Sequence, residues 1–388
     1  MRRVFCVIAA LFFLLAFGGC DEPPPENENC KSLAMETPIS QGYENYPTAK
    51  NPWNVKLFDG VLYFATGDYG KNSGNTPIFA YDTESGRWLD PFISSDEALD
   101  AFRVIDGRLF AVGNDSTLNG SVGNYYELTE GGWVTHSDLE GAVHVFDVTE
   151  HNGTRFFAIG TEDPTVSPVI SDNGNGEFSY LRFTKDGENR LLSEDFEFSR
   201  VYNLFSVNGE LYAFFFAPHL DTSKPHTYEF YKYDGEGFEF ISDMEELGIG
   251  FVGVYDGEKS KQLRQNFLNC EFARNGYAYF TSGFLYKSSD FESAQKIEID
   301  KGCVVSDILC YNGECYALTF ERSFFNIFIN TVWHLNDDDT ATPITTFSTR
   351  EAYALSFEFD GDKFYVALGN RADTVNVGKL CIIDAGGD

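Results

Sequence analysis

The sequence predicts an all-β fold, a seven-bladed β-propeller made of four-stranded antiparallel blades. A short unit recurs seven times: an apolar strand, an Asp-Gly or Asn-Gly turn, and an apolar strand that contains aromatic residues and usually ends at glycine. The units lie roughly fifty residues apart, a period typical of propeller blades. Aromatic residues make up 16% of the chain, which also favours β structure. The turn glycines are Gly60, Gly107, Gly153, Gly209, Gly276, Gly313 and Gly361.

Each complete repeat is predicted to contain four strands, and the second repeat shows the pattern most clearly. Its strands are expected at residues 101–105, 108–112, 125–128 and 133–135, with Asp106-Gly107 joining the first two. The second strand is apolar on both faces, which is typical of a strand enclosed between neighbouring sheets.

The two ends of the chain are predicted to meet in the last repeat. This repeat ends soon after its third strand, at 380–384, and therefore lacks a fourth strand. We expect residues 32–35 to supply it and to close the ring, so that 30–388 forms a single propeller domain. A disulfide between Cys30 and Cys381 would then join the two ends of the ring.

The first two repeats resemble kelch repeats. Those repeats carry an aromatic-rich strand ending in paired glycines, then a Tyr-Asp strand, a turn and a tryptophan. Here the order is Tyr63, Tyr81-Asp82 and Trp88 in the first repeat, and Phe110, Tyr126 and Trp133 in the second. The resemblance implies kelch-like blade geometry. It implies no function, because one fold hosts many activities.

The N-terminus is predicted to be a lipoprotein signal peptide, residues 1–19. Arg2 and Arg3 precede an apolar run that is shorter than the roughly 20 residues a membrane-spanning helix needs. The next residues, Phe17-Gly18-Gly19-Cys20, resemble a bacterial lipobox, which implies cleavage before Cys20 and lipidation of its thiol. An ordinary secretory signal is the alternative. Residues 20–29 form an acidic, proline-rich tether.

This leader places the protein in the bacterial cell envelope, anchored to a membrane by lipid and facing either the periplasm or the cell surface. The net charge of −32 argues against binding to nucleic acid, which would repel it. Acidity on this scale is expected to serve solubility or the binding of divalent cations. We expect a monomer that binds a protein or a glycan.

Six cysteines remain after the signal peptide and Cys20, and sequence alone allows fifteen pairings. If Asn312-Gly313 is a two-residue type I′ turn, Cys310 and Cys315 face each other at a distance suited to a disulfide. With Cys30–Cys381 at the ring closure, elimination leaves Cys270–Cys303. Zinc binding is the alternative, although the chain has no C-x-x-C motif.

Polar loops after the second strands form a predicted rim at the mouth of the central channel. Asp68, Asp115, Glu162 and Arg371 begin equivalent loops, and together they would suit a cation, a sugar or a cationic peptide. The alternative is that these residues only make turns. His144 opens the third repeat and is expected on the channel wall, either as part of this site or in a structural role.

One segment, 172–177, resembles both a calcium loop and a turn of sialidase propellers. Its candidate calcium ligands are Asp172, Asn173, Asn175 and Glu177, because oxygen ligands at alternating positions suit a hard cation. The turn resemblance is to the Asp-box, which is structural in those propellers. Phe178 stands where the Asp-box has tryptophan.

The sequence contains no catalytic motif that identifies an enzyme: there is no nucleophile elbow, no H-E-x-x-H and no phosphate-binding glycine loop. The catalytic residues are therefore unknown. We expect a binding or scaffolding module that requires no cofactor. The alternative is a glycoside hydrolase or lyase, which would need two carboxylates in an aromatic-walled pocket at the channel mouth. An irregular insert at 242–265 is expected to form helical turns or loops.

Overall fold

The computed structural model describes residues 31–32, 51–67, 75–117, 122–163, 165–174, 177–192, 196–250, 253–256, 259–262, 269–323, 326–370 and 378–386. These ranges are all-β, with one 3-10 turn at Arg190–Leu192. No helix in them is long and apolar enough to cross a membrane. The predicted signal peptide, Cys20 and the tether lie outside the described residues.

The strands follow the order of the sequence repeats, numbered 1 to 7 from the N-terminus. Repeats 1, 5 and 6 are separate four-stranded antiparallel sheets, and short ladders join repeats 2, 3 and 4 into one larger sheet. The strands of repeats 1 to 3 are Asn54–Phe58, Val61–Ala65, Pro77–Asp82 and Arg87–Ile93; Asp96–Ile105, Arg108–Ser116, Val122–Thr129 and Gly132–Glu140; and His144–His151, Thr154–Thr161, Val169–Asp172 and Phe178–Tyr180.

The later repeats have the same antiparallel order, and Lys31–Ser32 pairs with the last strand of repeat 7. The strands of repeats 4 to 7 are Ser199–Val207, Glu210–Ala217, Thr227–Tyr233 and Gly237–Asp243; Asn269–Arg274, Tyr277–Thr281, Leu285–Ser288 and Gln295–Ile297; Val304–Tyr311, Glu314–Arg322, Ile327–Leu335 and Ala341–Arg350; and Tyr353–Phe359, Lys363–Gly369 and Lys379–Asp384. The four strands predicted for repeat 2 are confirmed, and each is longer than predicted.

The turns between first and second strands have the predicted geometry in six repeats. Both turn residues have positive φ, as type I′ turns require; Asp106 and Gly107, for example, are at 50° and 69°. Repeat 7 differs because Phe359 pairs with Phe364, so its loop is longer than two residues. The carboxylate of Asp360 holds this loop by accepting the backbone N–H groups of residues 362 and 363.

The N-terminal strand pairs with the end of the chain. Lys31 lies opposite Ile382 and Ser32 lies opposite Cys381, in an antiparallel ladder on the edge of repeat 7 where a fourth strand was predicted. Cys381 is disulfide-bonded. Its predicted partner, Cys30, lies outside the described residues.

The first strand of each repeat, called the inner strand, contacts the inner strands of the repeats before and after it, and that of repeat 1 also contacts that of repeat 7. Hydrogen bonds cross these junctions. The N–H of Val55 in repeat 1 donates to Ser356 Oγ of repeat 7 at 3.1 Å, and the N–H of Phe102 in repeat 2 donates to Asn54 Oδ1 at 2.9 Å. The apolar core lies between neighbouring sheets, where residues such as Phe64 and Phe110 are fully buried.

A β-bulge redirects one polar side chain in several inner strands. In repeats 3 and 6 the strand register shifts immediately before Asp147 and Asp307. Asp147 then accepts the N–H of Leu204 in repeat 4, and Asp307 accepts the N–H of Phe357 in repeat 7. These buried carboxylates therefore join the inner strands of neighbouring repeats.

The second strand of a repeat ends against the beginning of the next inner strand. Gly67 pairs with Ala98, Gly160 with Arg200 and Gly283 with Val305. At Gly67 glycine is required because no space remains for a side chain. A Cβ on Gly67 would lie 2.3 Å from the Ala98 Cα.

Two segments add strands outside the four-stranded repeats, and the second of them differs from the prediction for the insert at 242–265. Arg182–Lys185 adds a parallel strand beside Gly237–Asp243, and it also pairs with Glu188–Asn189. Within the insert, Gly253–Asp256 and Lys259–Gln262 form an antiparallel hairpin and not a helical turn.

We predict that Gly67→Ala lowers the free energy of unfolding by about 3 kcal/mol, because the new Cβ would collide with the backbone of repeat 2 and strain a positive φ. Urea unfolding measures this change. Gly250→Ala is the matched control, since nothing lies within 4 Å of a Cβ at that position. Equal stability of the two variants would contradict the close-packed junction.

Candidate functional site

The rim predicted at the ends of the second strands lies partly within the described residues. Asp115 and His144 lie side by side there, and Glu162 is exposed at the end of the second strand of repeat 3. Asp68 and Arg371 lie outside the described residues. The structure therefore brings two of the five predicted rim residues into one place.

Strand pairing between repeats 2 and 3 places His144 beside Asp115. The ladder joins His144 to Asn114, the residue before Asp115. Asp115 has a φ of 53° within the strand Arg108–Ser116. His144 Nδ1 lies 3.3 Å from Asp115 Oδ1 without the geometry of a hydrogen bond.

Arg200 completes this group from repeat 4. Its Nη2 lies 3.4 Å from His144 Nε2, and its guanidinium carbon lies 4.2 Å from the ring centre of Phe198. His144 itself stacks on Phe146 at 5.2 Å. Sequence reasoning missed Arg200, although His144 and Arg200 each stand nine residues before the turn glycine of their repeats, Gly153 and Gly209.

The environment keeps His144 neutral near pH 7. Burial, and to a smaller extent the positive charge of Arg200, lower the pKa of the imidazole to about 4, whereas Asp115 acts more weakly in the opposite direction. The contact between His144 and Asp115 is therefore not an ion pair at neutral pH. A neutral imidazole can still donate one hydrogen bond and accept another.

A buried carboxylate, Asp96, lies deeper in repeat 2. It accepts hydrogen bonds from the Tyr126 hydroxyl and from Asn124 Nδ2, and it packs directly over Gly113. Burial raises the pKa of Asp96 to about 7, despite these hydrogen bonds. Next to it, Asn114 Nδ2 donates to Asp100. The sequence carried no signal for this group, since its hydrogen bonds depend on the packing of three strands.

The predicted calcium ligands take part in a turn. Asp172 Oδ1 accepts the N–H of Gly174 at 2.7 Å, and Asn173 Oδ1 accepts from Thr154 Oγ1 at 3.0 Å. Asn175 lies outside the described residues, and Glu177 is exposed. No group of three or more His, Cys, Asp or Glu residues in the described ranges is arranged to hold a metal ion. Binding of Ca²⁺ at this loop stays a prediction.

Cys310 and Cys315 face each other across the hairpin formed by the first two strands of repeat 6, so the predicted register is confirmed. Their sulfurs lie 2.9 Å apart, and both thiols are free. Burial and the neighbouring Cys310 thiol raise the pKa of Cys315 to about 12. A disulfide at this pair stays a prediction.

The other predicted disulfide within the repeats, Cys270–Cys303, is not formed. Cys303 is a free thiol that donates to the carbonyl of Asp300 at 3.2 Å. The side chain of Cys270 lies outside the described residues. The pairing had been inferred by elimination, and the turn at 300–303 instead holds the thiol against its own backbone.

We predict that His144→Gln makes the protein less sensitive to acid. Below about pH 6.5 the unfolded chain binds a proton at His144, whereas the folded chain binds it only near pH 4, so the wild-type free energy of unfolding falls as pH falls through this window. The wild type should lose up to about 3 kcal/mol more than the variant between pH 7 and pH 4. Denaturant titrations at several pH values measure this difference.

The exposed His226→Gln is the matched control for this substitution and should keep the wild-type pH dependence. The same pH dependence in His144→Gln and wild type would show that the imidazole of His144 is not kept neutral by the fold.

Comparison with known families gives no assignment for this chain. No family model matches it, and no curated protein matches it either. The resemblance to kelch repeats therefore stays a prediction.

Solved structures resemble this one in fold alone. The β-propeller domain of the Trilobed protease from Pyrococcus furiosus, described as having an open velcro topology, is 9% identical, with a TM-score of 0.50 over 88% of this chain and 94% of that domain. Sqt1 from Saccharomyces cerevisiae is also 9% identical, with a TM-score of 0.43 over 88% of this chain and 97% of that one. The first likeness, together with the four-stranded antiparallel sheets, shows that the chain has a β-propeller fold.

Proposed function

We propose that this protein is a lipid-anchored, extracytoplasmic binding module. In this proposal the chain forms a seven-bladed ring closed by its N-terminal strand, and a protein or a glycan binds at the rim. The N-terminal sequence supports the lipid anchor. The pairing of Lys31–Ser32 with Lys379–Asp384 and the hydrogen bond from Val55 to Ser356 support the closed ring.

The observation that carries the proposal is the meeting of Asp115, His144 and Arg200 at the rim. They come from three successive repeats, and the short ladders at Asn114 and Gly160 hold their backbones in place. This arrangement suits a binding site. The polar groups can bind a partner, and the rigid frame limits the conformational entropy that is lost on binding.

The charges at the rim favour a protein partner with basic side chains. The carboxylate of Asp115 is 37% exposed, Glu162 is exposed, and the chain as a whole is strongly acidic. Arg200 lies over an aromatic ring and beside His144, so its charge is partly enclosed. Long-range attraction would therefore steer a basic segment towards this rim.

We predict that Asp115→Asn combined with Glu162→Gln weakens binding to basic peptides by roughly tenfold, since two exposed attractive charges are removed. Asparagine tolerates the positive φ of Asp115. Arrays of basic peptides, acidic peptides and glycans probed with the purified protein identify ligands, and titration calorimetry measures affinities. Glu84→Gln combined with Asp90→Asn is the control of equal charge change.

Binding of a peptide or glycan that the rim variant loses and the control keeps would support the rim. Ligands that bind both variants as tightly as the wild type would contradict it.

We predict that Cys20→Ser abolishes lipidation of the N-terminus. The thiol of Cys20 is the proposed lipid attachment, and the proposed cleavage before Cys20 uses the same lipobox, so the variant should also keep its signal peptide. Mass spectrometry of the N-terminal peptide checks this prediction in a bacterial host. A wild-type protein whose N-terminal peptide carries no lipid would contradict the anchor.

A further inference from the structure

A second candidate binding site lies on the face opposite the rim. It is a cavity of about 570 Å³, within the range of small-ligand sites. The turns between first and second strands, and between third and fourth strands, open on this face, which is called the turn face. Its lining comes from repeats 3 and 4 and includes His151, Asn152, Glu210, Lys232, Tyr233 and Phe240.

The repeat geometry places these groups around one cavity. His151 and Asn152 belong to the first turn of repeat 3, and Glu210 follows the equivalent turn of repeat 4. Lys232 and Tyr233 end the third strand of repeat 4 on the same face. The cavity is therefore a junction between neighbouring repeats, and it shares no residue with the rim.

Aromatic side chains form part of its wall. The Tyr233 ring meets His151 edge-on, with centroids 6.2 Å apart, and it also contacts Phe156 at 5.1 Å. Phe240 is half-buried, with Lys185 Nζ 3.8 Å from its ring centre. These contacts hold the aromatic rings in fixed orientations, which limits the entropy lost on binding.

Three of the four charged side chains that line the cavity have an ion-pair partner. Lys232 Nζ lies 3.2 Å from Glu210 Oε1, and Lys232 also stands opposite the fourth, Glu239, in the strand register. Asp234 is paired at 3.2 Å with Arg182, which lies outside the cavity lining. Because these pairs are partly exposed, a charged ligand would gain little from a further ion pair here, whereas a neutral ligand could hydrogen-bond to the pairs as they are.

Asn152 adds an amide at a position where the backbone is constrained. It has a φ of 52° in a type I′ turn, and its Nδ2 lies 2.9 Å from His151 Nε2. Amide, ammonium and carboxylate groups together offer both donors and acceptors. Hydroxyl groups can use both kinds of partner at once, and apolar C–H faces can pack on aromatic rings.

We propose that this cavity binds a neutral saccharide of two or three sugar units. The size of the cavity, its fixed aromatic rings and its partly exposed, largely paired charges together fit an uncharged, polyhydroxylated ligand better than an ion or a charged peptide. This site is independent of the rim proposed above, so each can be tested while the other is left intact.

The experiment uses the complete propeller and a panel of neutral trisaccharides, namely maltotriose, cellotriose and N,N′,N″-triacetylchitotriose, with sialyllactose and a basic peptide as charged probes. Saturation-transfer NMR detects binding, and titration calorimetry measures affinity. Asn152→Asp and Lys232→Met each remove the hydrogen-bond donor of that side chain, and each should weaken binding of the neutral sugar about three- to tenfold.

Two controls separate this site from folding and from the rim. Asn312→Asp makes the same change in the equivalent turn of repeat 6, and aspartate is already accommodated at Asp59 and Asp106. This control and the rim variant Glu162→Gln should bind the sugar like the wild type. Thermal unfolding of every variant shows whether the fold is kept.

Binding of a neutral trisaccharide that both cavity variants weaken and both controls keep would support the proposal. Three results would overturn it: no neutral sugar in the panel binds at millimolar concentration, the sugar binds equally well to the cavity variants, or only sialyllactose or the basic peptide binds at this cavity. None of these results affects the test of the rim.

Discussion

The structure depends on one close contact, between the end of a second strand and the beginning of the next inner strand. A Cβ on Gly67 would collide with the backbone of Ala98 in repeat 2, and a Cβ on Gly160 would collide with His144 and Phe146 of its own repeat. The contact joins neighbouring repeats, and it leaves the loops that follow on one face. The glycine that ends the repeated unit in the sequence is therefore a packing requirement at the end of the second strand, between repeats at Gly67 and within the repeat at Gly160.

Buried polar groups make the packing between neighbouring repeats specific. Apolar contacts between sheets hold them together but allow small shifts, whereas the buried carboxylates of Asp147 and Asp307 accept specific backbone N–H groups of the next repeat. An unpaired backbone group in such a place would cost about 1–3 kcal/mol, so these bonds help to select one arrangement. Their position after a bulge explains why strand alternation alone did not single them out.

The two faces of the ring offer different chemistry. At the rim, Asp115, His144 and Arg200 meet at the junctions of three repeats, and the carboxylates of Asp115 and Glu162 are exposed. On the turn face, most charges around the cavity already have a partner, as Lys232 has in Glu210. The proposals of a charged partner at the rim and a neutral ligand at the cavity follow from this difference, because a further ion pair at an exposed position contributes little.

The sequence alone determined the all-β class, the repeats, the turns at Asp106-Gly107 and its equivalents, and the facing of Cys310 and Cys315, because these follow from local backbone preferences and strand register. It also placed Asp115 in the loop that follows a second strand, and it placed His144 at the beginning of the first strand of repeat 3. Only the tertiary structure decided that these two meet beside Arg200, that Cys303 is a free thiol, and that a cavity opens at Tyr233. Contacts between repeats depend on how sheets twist and pack, and residues far apart in the chain leave no periodic signal of such contacts.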